Sequence, residues 1–218
     1  MDINDISSVT PFFTFDPLQG EDVSVLVGLL NSCHDGVDQL GEIDQRCPTY
    51  AEKLSHQGAS FSKGRSDVSW DDATIIFVAL RCTEEDGSPS EPLDRGISME
   101  RLGRFPANNG NSIEYLRNHL IPEEPGDLGV QLLAQLDGGL RTETVGHEHL
   151  SIGFGGMILH GWLTPQEVPK MRSYLEKSVW KVDKNEPFDG GVREIVRHLL
   201  ILLKSAEKRQ LGVLMRRH

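Results

Sequence analysis

The chain has 218 residues, 38% hydrophobic and 25% charged, enough to bury a sizeable core without disulfide or metal staples. Its formal net charge of −11 excludes a broadly basic surface of the kind that neutralises a phosphate backbone or an anionic membrane. Cys33, Cys47 and Cys82 are widely spaced with no C-x-x-C, which excludes a disulfide framework and a zinc ribbon.

The opening MDINDISS is acidic where a secretory signal is basic, and no apolar run approaches the ~18 residues that span a bilayer. A cytoplasmic protein with no membrane partner is therefore expected. Asp16-Pro17 reads as a helix start, and Val23, Leu26, Val27 and Leu30 recur at helical spacing. Val37, Leu40, Ile43 and Cys47 repeat every three or four residues until Pro48 interrupts, and a short helix follows from Tyr50 to His56. Composition then changes over ASFSKGRSDVSWDD, which is polar and rich in Gly and Ser. ATIIFVALRC beyond it is a β-branched, apolar run that predicts a buried strand from Thr74 to Cys82. TEEDGSPSEPLDRG predicts an exposed loop.

Asn111 to Glu114 has the form of a capping box and opens a helix through Tyr115, Leu116 and His119 that stops before Pro122. DLGVQLLAQLDGG predicts the next helix, closed by Gly138 and Gly139. Thr164, Pro165 and Glu167 form a second capping box ahead of the stripe Val168, Met171, Leu175 and Val179. GVREIVRHLLILLKSAEKR predicts the longest helix, with Val192, Ile195, Val196, Leu199, Leu202 and Leu203 inward and its bases outward. LGVLM predicts a short strand that closes the sheet. Strands scattered among helices without regular alternation define the α+β class: a helical N-terminal part followed by a small, mainly antiparallel sheet packed against C-terminal helices. One domain over 1–218 is expected, any subdivision falling near 60–68.

HEHLSIGFGGMILHGW, residues 147–162, carries the sharpest chemical signal. A two-residue turn at Gly155-Gly156 pairs Phe154 with Met157 and Ile152 with Leu159. Leu150, Ile152, Phe154, Met157 and Leu159 then form an apolar face, and His147, His149, Ser151, His160 and Trp162 the opposite one. In that register His147, His149 and His160 are close enough to share zinc or iron, which would activate water in a hydrolase or oxygenase. Without the turn, parity sends His160 to the other face. Ser151 and Trp162, with the histidines, would alternatively form a polar platform for a small ligand. The plainer reading is structural or surface histidines.

In CHDGVDQLGEID, neighbours Cys33 and His34 point apart, so a helix end and an acidic turn with Asp35, Asp38 and Glu42 are expected rather than a nucleophilic dyad. G-x-S-x-G, H-E-x-x-H and G-x-G-x-x-G do not occur, and no enzyme is indicated. Residues 1–60 carry a net charge of −8 and residues 190–218 a net +5. That asymmetry gives the leading functional expectation: a non-catalytic interaction protein whose acidic surface binds a basic protein partner and no nucleic acid.

Overall fold

Phe13-Thr14-Phe15-Asp16 alternates apolar and polar side chains, the period of a strand. The computed structural model, which describes residues 12–105, 110–124, 126–177 and 180–217, makes this stretch strand β1 (Phe13–Leu18) rather than a helix start. Pro17 is tolerated because β1 lies at a sheet edge, where a missing N–H leaves no gap in an interior ladder. Helix α1 (Val23–His34) buries Val23, Leu26, Val27 and Leu30 as their spacing predicts. Helices α2 (Ile43–Arg46) and α3 (Pro48–His56) follow; Leu40, Ile43 and Cys47 are buried, whereas Val37 is exposed. Pro48 starts α3, the position where its missing N–H costs nothing.

The run expected as a buried strand from Thr74 to Cys82 is instead helix α4 (Asp72–Leu80). Asp71 caps it, accepting from the Thr74 N–H at 2.7 Å and the Thr74 hydroxyl at 2.8 Å. Asp72, Ala73, Ile76, Ala79 and Leu80 are buried at helical spacing. A short apolar run fits either periodicity, and here the cap decides it. The Lys53 ammonium donates to the carbonyls of Ala79 and Arg81 at 2.9 and 2.5 Å, satisfying acceptors that the end of α4 leaves open.

Helices α5 (Ile97–Gly103) and α6 (Ser112–His119), strand β2 (Leu120–Pro122), helices α7 (Leu128–Gly138) and α8 (Thr142–Val145), and strand β3 (Ile158–Leu163) come next. Helix α9 (Val168–Lys177), strand β4 (Trp180–Val182), helix α10 (Gly191–Lys208) and strand β5 (Gly212–Arg217) complete the order. Both expected capping boxes contribute side-chain caps. Asn111 accepts from the N–H groups of Ile113 and Glu114 at 3.0 and 3.1 Å, and Glu167 accepts from the Thr164 N–H and hydroxyl at 2.7 and 2.9 Å. Val168, Met171 and Leu175 are buried; Val179 lies outside the described residues.

The fold class is α+β, with an antiparallel sheet in the order β1-β5-β3 and a smaller β2-β4 pair. The terminal strand does not close the sheet at an edge but occupies its centre. One sheet face carries Phe13, Phe15, Val213, Met215 and Leu163 into a core shared with α5, α6, α7, α9 and α10. The other carries Leu18, Leu214, Leu159 and Trp162 into a core shared with α1 to α4. Phe61 and Val68, which bracket the composition change, sit in this second core with Leu54 and Ile75. Among the described residues no helix is long and apolar enough to cross a membrane.

Helix α7 runs so close to β3 that a methyl group on Gly161 would overlap the Gln135 carbonyl oxygen and come within 2.8 Å of the Leu136 carbonyl. Both obstacles are backbone, so neither can rotate away. Gly161→Ala is expected to cost about 3 kcal/mol in equilibrium urea unfolding.

Candidate functional site

The chain does reverse at the glycine pair, with Gly155 at φ +71° and Gly156 at φ +81°. The loop, however, holds three residues, Phe154 to Gly156. Gly153 N–H donates to the Met157 carbonyl at 2.9 Å, Ile152 opposes Ile158, and Leu159 N–H donates to the Ser151 carbonyl at 2.7 Å. Every partner is displaced by one residue from the two-residue register, which reverses the parity of the faces. Residues Glu148–Leu150 form a 3-10 turn rather than a strand, and a bulge between Leu159 and Gly161 re-aims His160.

These three departures separate the expected metal trio. His160 is 6% exposed, its ring edge-on to Phe13 at 5.0 Å and its Nδ1 donating to the Asp137 carbonyl at 3.0 Å. His149 instead stacks on His34 at 4.6 Å with 8° between ring planes, and His147 lies 5.1 Å from His34. Among the described residues no group of three or more His, Cys, Asp and Glu side chains is placed to hold a metal ion. Ser151 and Trp162 do not form an open platform either: both are buried, the Ser151 hydroxyl donates to the Glu148 carbonyl at 2.9 Å, and the Trp162 ring packs in the core beside α1 to α4.

What does assemble is a polar cluster where the end of α1, the start of α4 and the 147–153 segment meet. His34 Nε2 donates to Asp72 Oδ2 at 2.6 Å, and Arg65 Nε donates to Asp72 Oδ1 at 2.6 Å. The Asp72 side chain is only 2% exposed, so both oxygens need such partners. Arg65 is itself fixed by the Val68 and Trp70 carbonyls at 2.7 and 2.6 Å. Asp38 accepts from the N–H groups of Leu40 and Arg65 at 3.1 and 2.7 Å, and His147 lies 3.8 Å from Asp35. Sequence reasoning weighed His34 only against its neighbour Cys33 and missed its tie to Asp72 and Arg65, because His34 lies 38 residues from Asp72 and the three match no spacing rule.

A carboxylate holding a histidine suggests acid-base chemistry, but the neighbouring thiol is not engaged by that histidine. The Cys33 thiol donates to the Leu29 carbonyl and to Asp38, not to His34, and burial followed by the Asp38 contact pushes its pKa up, away from thiolate. A second buried carboxylate, Asp137 on α7, accepts from Asn111 at 2.6 Å, from Arg141 at 3.1 Å and from Arg117, tying α6 to α7. No family model, curated protein or solved structure matches the chain. The cluster's observed interactions are those of a brace that presents three imidazoles and several carboxylates on one surface.

Two measurements probe these groups. Asp72→Ala leaves Arg65 and His34 without their shared acceptor, and a loss of about 3 kcal/mol is expected in urea unfolding. Burial, ahead of every other influence, holds His160 at a pKa of about 4. The folded protein therefore refuses a proton that the unfolded chain accepts below about pH 6.5. Stability present above that pH is lost as pH falls towards 4, by roughly 3 kcal/mol from this residue. His198, also held low by burial, adds the same sign. His160→Gln is expected to reduce the slope of unfolding free energy between those two pH values and to leave it unchanged above them.

Proposed function

We propose that this chain is a non-catalytic protein-binding module whose acidic helical layer engages a basic surface on a partner protein. One observation carries the reading: in the layer of α1 to α3 the carboxylates face out, while of its two bases one is turned inward and the other lies on the surface beside an acid. Glu21, Asp22, Asp35, Asp38, Glu42, Asp44 and Glu52 are all exposed. Of the two bases in that stretch, Lys53 spends its ammonium on the Ala79 and Arg81 carbonyls, and Arg46 lies 3.8 Å from Glu42. The neighbouring Arg65 is bound to Asp72. Such a surface steers a cationic partner and repels nucleic acid and anionic lipid.

An oligolysine peptide tests the idea. Wild-type protein is expected to bind it at about 0.05 M salt and to lose most of that affinity at about 0.5 M, as screened surface attraction requires. Reversing Glu21, Asp44 and Glu52 to Lys should weaken binding about tenfold. Reversing three exposed acids elsewhere, Glu114, Glu123 and Glu124, makes the same change in net charge and should have little effect. Equal losses from the two triple variants would show that only net charge matters, and the proposal would fall.

A further inference from the structure

We propose that Phe154, backed by Ile152, is the apolar anchor of this interface, inserting into an apolar depression that is ringed by cations on the partner protein. The inference rests on the acidic-layer reading and adds to it the residue that confers grip. Phe154 is 88% exposed and Ile152 50%, both on the same reversal of the chain. An aromatic ring held in water has a large apolar area to gain by being covered, and aromatic anchors surrounded by a charged rim are the usual anatomy of a binding hot spot.

The ring is also presented on a braced support. The Gly153 to Met157 and Leu159 to Ser151 backbone bonds close the loop, and Gly155 and Gly156 take the left-handed conformations it needs without strain. Ser151 anchors the approaching segment through its bond to the Glu148 carbonyl. Presenting a side chain on a closed loop lowers the ordering cost of binding.

Its neighbourhood specifies the partner. Gly153, next to Phe154, lies against the first turn of α4: a Cβ there would sit 3.3 Å from Asp71 Oδ1 and from the Ala73 Cβ. Glu148 is exposed on the same segment, and His147 reaches towards Asp35 at 3.8 Å. The guanidinium of Arg65 is already engaged by Asp72 and two carbonyls, and that of Arg217 belongs to the residue opposite Ile158 on β5. An apolar tip on a segment that carries Glu148 and rests against Asp71 fits a protein surface with lysines or arginines around an apolar hollow, and it disfavours an anionic bilayer.

Two synthetic peptides of equal lysine content, one interspersed with Leu and one with Ser, test this by titration calorimetry against wild type and Phe154→Ser. Because Phe154 is exposed, the variant should keep the wild-type thermal midpoint. Wild type is expected to bind the Lys/Leu peptide about tenfold more tightly than the Lys/Ser peptide. Phe154→Ser should abolish that preference while leaving Lys/Ser affinity unchanged. A preference that survives in the variant overturns the anchor and leaves the acidic layer standing. Failure of wild type to bind the Lys/Ser peptide at all overturns the acidic layer and the anchor with it. Phe154-dependent binding to phosphatidylcholine vesicles without any preference between the peptides also overturns the anchor, in favour of a lipid surface.

Discussion

Strand β5 is the constraint on which the rest of the structure depends. It pairs antiparallel with β1 on one side and with β3 on the other, and its successive side chains feed opposite cores. Val213 and Met215 enter the core of α5, α6, α7, α9 and α10, while Leu214 enters the core of α1 to α4. The alternation of a strand thus joins two helical layers that differ in charge. Arg216 extends the join on the α4 side, pairing with Asp16 of β1 and covering the Phe77 ring at 4.9 Å.

The acidity of the outer surface follows from how the interior satisfies its own polar groups. Asp72 is buried and draws in Arg65, and the open carbonyls after α4 draw in Lys53. Each demand removes a cation from the surface of a layer that has few. Polar satisfaction inside and charge outside are therefore one arrangement rather than two. Asp137 does the corresponding work between α6 and α7 with Arg117 and Arg141, whose guanidinium groups remain partly open to solvent.

Much of the helical structure was legible because amphipathic spacing and capping residues are local signals. The stripes of α1 and α10, and the caps at Asn111 and Thr164, need no knowledge of the rest of the chain. β1 was missed because Asp16-Pro17 resembles a helix start, while its partner strand lies at the far end of the sequence. α4 was misread because an apolar run shorter than a dozen residues suits both periods, and the weight belonged on Asp71. At the candidate site, the reversal at Gly155-Gly156 was readable, but its loop length was not, and a single residue of register moved His160 to another environment. Contacts such as His34 with Asp72, 38 residues apart, arise only once the helices have packed.

The central place of β5 also has a kinetic side. Asp16 and Arg216 are separated by 200 residues, so joining β1 to β5 means closing nearly the whole chain into a loop before the pairing returns any free energy. Local helices form within microseconds, whereas topologies dominated by such distant pairings fold orders of magnitude more slowly. Until β5 docks, β1 and β3 have no strand between them, and Leu18 and Phe15 lack the Leu214 and Met215 that complete their cores. The slow step of assembly is thus also the one in which unpaired strand edges and apolar helix faces are open to other chains.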